Sequence, residues 1–153
     1  MSSNIAKVVK DFNADVEHIY KASTQMVKTV VAYTIYELQD MPPAGTPRDT
    51  LRAVNGWNVA PGPVGDFTDP GPQFIHPEPD PELEIRKLTG KEDQATIANG
   101  VHYIGSLEFG SSRQSPRNFV RIAIDRALSH LDFTVVYKAA LRGDVDRGVR
   151  LGR

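Results

Sequence analysis

Between residues 3 and 38 apolar side chains recur every three or four positions: Ile5, Val8, Val9, Phe12, Val16, Ile19, Tyr20, Met26, Val27, Val30, Val31, Ile35 and Leu38. That is the period of an amphipathic α-helix. No glycine or proline interrupts it, so one helix of roughly 50 Å is expected at 1.5 Å per residue. In a chain of 153 residues a single small domain does not cover a helix of that length. Either the helix breaks once, or part of its stripe packs on another subunit. The segment MPPAGTP, with three prolines and a glycine, ends it.

The remainder reads as shorter elements within one domain, residues 1–153. DTLRAVNGWNVAPG carries Leu51, Val54, Trp57 and Val59 and is expected to be a strand. Asn55-Gly56 there suits a hairpin turn or a bulge. Residues 61–81 hold seven of the eleven prolines, which excludes a regular helix or a central strand there. We expect an extended, partly polyproline loop, placed within 58–92, with an acidic end. QATIANG and VHYIGSLEFG read as two strands joined by an Asn99-Gly100 turn. In the second, Val101, Tyr103, Leu107 and Phe109 share a face. A last helix is expected from Ser115 as cap and Pro116 as first helical residue, running to about Leu141 with Gly143 closing it. DFTVVY is β-favouring, so a break near Asp132 stays open as an alternative. Residues 143–153 read as a poorly ordered tail. The expected fold class is α/β (α+β): a small, mostly antiparallel sheet packed against a long N-terminal and a C-terminal helix.

Composition removes several function classes. There are no cysteines, so disulfides and thiolate metal sites are excluded. No run approaches the roughly 18 apolar residues of a membrane span. The opening MSSNIAKVVKDF is charged throughout, so no secretory leader is expected. A hydrolase elbow needs Gly-x-Ser-x-Gly around a strained serine. EFGSSRQSP supplies Gly110, Ser111 and Ser112 but lacks the second glycine. His18, His76, His102 and His130 have no metal-ligand spacing. HPEPDPELE lacks the acidic and glycine order of a calcium loop, and LTGKED lacks the first glycine of a phosphate loop. No catalytic residue, cofactor or metal site is expected.

Charge is unevenly spread. Residues 1–40 carry 4 basic and 5 acidic side chains, residues 41–110 carry 5 and 10, and residues 111–153 carry 9 and 4. The middle is acidic and the end basic, which suits a directional surface. Arg113, Arg117 and Arg121 recur at a spacing of four. They lack the interleaved aromatics of a base-stacking platform, so they are expected to face protein. The acidic run Glu78, Asp80, Glu82 and Glu84 is their expected partner on an adjacent copy.

Two segments resemble a known family. TPRDTLRAVNGW is similar to the signature Thr-Pro-x-Asp-Thr-Gly-x-x-x-x-x-Trp of tailed-phage neck and tail-completion proteins related to the HK97 gene 10 product. Thr46, Pro47, Asp49, Thr50 and Trp57 match. YIGSLEFGSSRQSPRNFVR is similar to that family's second signature, Tyr-Ala-x-x-Leu-Glu-x-Gly-x-Ser-x-Gln-Ala-Pro-x-Gly-Met-Val-Arg. Tyr103, Leu107, Glu108, Gly110, Ser112, Gln114, Pro116, Val120 and Arg121 match, and Asn99 fits before it. The chain departs from the pattern where Leu51 and Asn118 replace glycines, Ile104 and Ser115 replace alanines, and His102 replaces a proline. Leucine resists positive φ, so Leu51 puts the first turn in question.

The resemblance implies a structural virion protein without catalysis or cofactor. Its matched residues would be structural: Gly110 at positive φ, Glu108, Ser112 and Gln114 bonding backbone ahead of the helix, and Leu107 and Phe109 packing sheet on helices. The implied assembly is a homo-oligomeric ring, hexamer or dodecamer, at the head–tail junction. Its implied neighbours are a head-completion or connector protein and a tail tube or tail terminator protein. DNA would pass through the channel, and no membrane is involved. The implied location is the virion, with assembly in the host cytoplasm. The rival expectations are a nucleic-acid-binding module using the basic C-terminal segment and a small serine hydrolase.

Overall fold

A computed structural model describes residues 2–40, 45–48, 51–63, 80–88, 94–111 and 117–142. The periodic segment is one unbroken helix, α1 (Ser2–Gln39), about 57 Å long at 1.5 Å per residue. Its halves differ. Beyond Lys21 the apolar stripe enters the core, with Val31, Ile35 and Leu38 buried. From Asn4 to Lys21 every residue is exposed except the half-buried Val16. The buried hydroxyls of Thr29 and Thr34 donate to the carbonyls of Gln25 and Val30, both at 2.8 Å, so neither enters the interior unbonded. Past α1 the chain doubles back. Thr46 N–H donates to the Leu38 carbonyl at 2.9 Å, and the Arg48 guanidinium donates to the Gln39 carbonyl. A β-carbon on Gly45 would lie 1.8 Å from the Asp40 carbonyl oxygen, so this return requires glycine.

Two strands form the sheet. β1 (Trp57–Pro61) pairs antiparallel with β2 (Ala95–Asn99), Trp57 opposite Asn99 and Val59 opposite Ile97. Trp57 and Val59 turn inward and Asn58 and Ala60 are half-buried, the alternation of a strand with one face on a core. The strand is shorter than expected. Arg52–Asn55 forms a helical turn, α2, and Gly56 closes it with φ −81° and an N–H donated to the Ala53 carbonyl. Gly56 is therefore neither a bulge nor a hairpin corner. The proline-rich stretch is also bounded more tightly. β1 takes in Pro61. The extended loop expected after it falls on residues 64–79, outside the described residues. α3 (Pro81–Arg86) begins at Pro81, with Asp80 accepting from Glu82 N–H at 2.9 Å as its cap. Leu88 after it is buried in the core. The Glu84 carboxylate accepts from Val59 N–H at 2.7 Å, so α3 covers the outer edge of β1.

The expected second strand, Val101–Gly110, is instead a helix, α4 (Ile104–Phe109). The Asn99 side chain accepts from Val101 N–H at 3.0 Å, and Ile104 N–H bonds the Val101 carbonyl at 3.0 Å. These local bonds turn the chain before a ladder can start, and β2 already has β1 as partner. Ile104 and Leu107, one turn apart, pack on the core, whereas Phe109 is 77% exposed. Leu107 thus packs as expected and Phe109 does not.

The C-terminal segment breaks at the position left open. α5 (Phe119–Ser129) ends before Asp132, and α6 (Phe133–Leu141) restarts after it. The Asp132 carboxylate caps α6 by accepting from Thr134 and Val135 N–H at 2.9 and 3.2 Å. Both helices pack on α1. α5 starts at Phe119, three residues after Pro116; Ser115, Pro116, Gly143 and the expected tail lie outside the described residues. The core joins α1, β1 and α5 through Ile35, Leu38, Trp57, Val59, Phe119 and Ala123.

Candidate functional site

The two signature segments, about fifty residues apart in sequence, meet in space. Trp57 from the first lines one small cavity of about 210 Å³ together with Asn99, just ahead of the second, and Ile104, Gly105, Glu108, Phe109 and Val120 from within it. Asn99 Nδ2 donates to the Ala53 carbonyl in α2 at 2.6 Å. The Arg52 guanidinium lies 5.9 Å from the centre of the Tyr103 ring, within reach of a cation–π contact. Trp57 Nε1 donates to Thr46 Oγ1 at 2.8 Å, and both side chains are buried. Pro47 follows Thr46 in the return from α1; Asp49 and Thr50 lie outside the described residues.

Glu108 holds the second corner. Its carboxylate is buried, yet it belongs to no ion pair among the described residues. It accepts from Val120 N–H at 2.9 Å and Arg121 N–H at 3.4 Å. Its main-chain carbonyl accepts from Asn118 N–H at 3.1 Å. A carboxylate thus caps the first turn of α5, where free N–H groups and the helix dipole both favour negative charge. Gly110 has φ 83° and ψ 174°, a region essentially reserved for glycine. Ser112, Arg113, Gln114 and Pro116 lie outside the described residues.

Leu51 and Asn118 have φ of 57° and 52°, and they are the two non-glycine residues with positive φ among the described residues. Asparagine tolerates this conformation; leucine does so at a cost of roughly 1–2 kcal/mol. Leu51 is 41% exposed, so its side chain returns only part of that cost. Leu51→Gly is therefore expected to raise stability by about 1 kcal/mol despite glycine's larger backbone entropy. A urea midpoint that rises with unchanged slope checks this.

The expected contact between acidic run and arginines changes character. Asp80 caps α3, and Glu84 is held by Val59 N–H and by Lys87 Nζ, 2.6 Å away. Both carboxylates thus already have partners within the subunit, although Asp80 stays exposed. Glu82 is exposed, and Glu78 lies outside the described residues. Arg117 precedes α5 rather than sharing its face. Arg121 is exposed, with Asp125 of its own helix 3.8 Å away.

One cluster escaped sequence reasoning. Glu37, buried near the end of α1, faces Arg126 at 3.7 Å and His130 at 3.8 Å, both from the end of α5. Arg126 also lies 3.6 Å from Asp40, and His130 stacks on Tyr33. These charges tie α5 to α1. The available signal was an acidic residue beside Leu38, next to the apolar stripe. Among the described residues no group of three or more His, Asp or Glu is arranged to hold a metal ion, and no helix is long and apolar enough to cross a membrane.

Among the described residues two apolar surfaces remain open. A groove of about 730 Å³ runs along the buried half of α1, lined by Met26, Val30, Trp57, Ile97, Ile124 and Phe133 among others. The other is the free half of α1, where Ile5, Val8, Val9, Phe12, Ile19 and Tyr20 are 50–68% exposed. Compared with protein-family models, curated proteins and solved structures, the chain matches none.

Proposed function

We propose that this chain is a non-catalytic structural subunit that forms a homo-oligomeric ring at the head–tail junction of a tailed phage. It acts there as a neck, tail-completion or tail-terminator protein that joins the head connector to the tail. The observation that carries this is the convergence of the two separated signature segments on one corner, with Trp57, Asn99 and Glu108 around a shared cavity. Both positions where the resemblance replaces glycine, Leu51 and Asn118, have positive φ, as does the matched Gly110. This supports a shared backbone design rather than chance similarity of composition. Glu108 bonds main-chain N–H groups, which supports a structural rather than a catalytic motif. The acidic middle and basic end of the chain would give stacked rings a polarity.

Electron microscopy of the purified protein should show closed rings. Extracts of infected cells lacking the protein should accumulate heads and tails unjoined, and adding it back should restore joining. The exposed Arg117 and Arg121 favour one second reading, a nucleic-acid-binding module. A particle-free protein that stays monomeric and retains duplex DNA with steep salt dependence would establish that instead.

A further inference from the structure

Among the described residues the free half of α1 and the apolar groove are both uncovered, and they cannot cover each other within one chain. Met26, Val30 and Leu38 line the groove, and they lie on the same unbroken helix as the arm. Phe12 is 14 residues before Met26, about 21 Å along a helix axis. A rigid helix cannot fold back by that distance onto its own later turns. Among the described residues, an arm that reaches this groove has to come from another copy.

We infer that the arm, residues 4–21, inserts its apolar stripe into the groove of a second copy of the chain, a contact that presupposes the ring-subunit function proposed above. The stripe continues the line of residues that α1 buries in its own core, so it has the spacing to pack on a helical surface. Its six exposed side chains present on the order of 600 Å², close to the roughly 800 Å² that one partner gives to a standard interface. On the receiving side, Ile124, Leu128 and Phe133 are 39–42% exposed, and Ile124 and Phe133 line the groove itself. Arm and groove are different surfaces, so the contact can repeat head-to-tail. Reciprocal exchange of arms between two copies would instead close a dimer, and the ring function proposed above selects the head-to-tail form. Each subunit gives one arm and receives one, and such a contact closes into a ring when its rotation allows. The pairing of two arms with each other would instead be isologous and would stop at a dimer.

The chain has no cysteine, so introduced thiols report cleanly. The double variant Val9→Cys with Ile124→Cys, treated with a short bis-maleimide, should give a ladder of covalent oligomers on a denaturing gel. Each single variant should remain at the monomer position. Phe12→Asp should abolish the ladder in that background and weaken self-association about tenfold or more, because it places a charge in an apolar groove. At a dilution where both proteins are monomeric its thermal midpoint should match the parent's, since Phe12 is 65% exposed within the subunit and association no longer contributes to either value. Cross-linking of Val9→Cys alone would show arm-to-arm pairing and overturn the inference. Rings that persist in Phe12→Asp without a ladder would overturn the inference and leave the ring function standing. A wild-type protein that forms no rings would overturn both.

Discussion

Glu108→Ala should lower the stability of the subunit by about 2–3 kcal/mol, the range for losing hydrogen bonds to a charged acceptor in a buried setting. The Glu108 carboxylate accepts from Val120 N–H at 2.9 Å and from Arg121 N–H at 3.4 Å. Alanine leaves these first-turn donors of α5 without that acceptor, and the buried site limits what water can replace. It also removes the negative charge that opposes the positive end of the helix dipole. Glu108→Gln keeps one acceptor oxygen and loses the charge, so it should fall between alanine and wild type. Urea unfolding followed by circular dichroism measures both, and an unchanged slope assigns the loss to the folded state. A loss below about 0.5 kcal/mol for alanine, the size of an ordinary surface substitution, would mean that the cap is not formed in solution.

That cap also shows where local sequence rules stop. A capping box pairs residues three apart, whereas Glu108 caps a helix that begins at Phe119. Gly110 and Asn118, at φ 83° and 52°, stand near the two described ends of the return between α4 and α5. The sequence resemblance pointed to Glu108 as a backbone-bonding residue, but only the fold shows which backbone. The same limit explains Val101–Gly110. Its apolar alternation is short, and a short apolar run does not separate strand from helix. The Asn99 bond to Val101 N–H decides for a turn, and no periodicity encodes it.

Long-range period was more legible than short-range pattern. The stripe from Ile5 to Leu38 gave α1 nearly to its ends, because 38 residues of consistent spacing leave little room for another structure. The same stripe could not say which half is covered, since amphipathicity marks a face that seeks a partner and not the partner itself. The break at Asp132 was visible as a conflict between a helical register and the β-favouring DFTVVY. It resolved as helix because Asp132 bonds two N–H groups and α6 then packs on α1. Tertiary packing of this kind routinely overrides intrinsic propensity.

Trp57→Ala should be the most damaging single change, at about 3–5 kcal/mol, the range for removing a large buried aromatic side chain. Trp57 is 6% exposed and lines both the 730 Å³ groove and the 210 Å³ cavity. Its removal would merge the two spaces, and the rigid elements around them limit collapse. Trp57→Phe and Thr46→Val separate the volume of the ring from its hydrogen bond. Phenylalanine fills most of the space but leaves Thr46 Oγ1 without its donor, and valine leaves the indole N–H without its acceptor at a site where Thr46 is fully buried. Each should cost about 1–3 kcal/mol, the penalty for a buried polar group deprived of its partner. The pair combined should cost less than the sum of the single changes, because the double variant loses one bond rather than stranding two groups. Trp57 is the single tryptophan of the chain, so its fluorescence reports unfolding of this corner directly in Thr46→Val. Strict additivity of the two losses in circular dichroism would show that the Trp57–Thr46 bond does not form, and that the first signature holds its turn by packing alone.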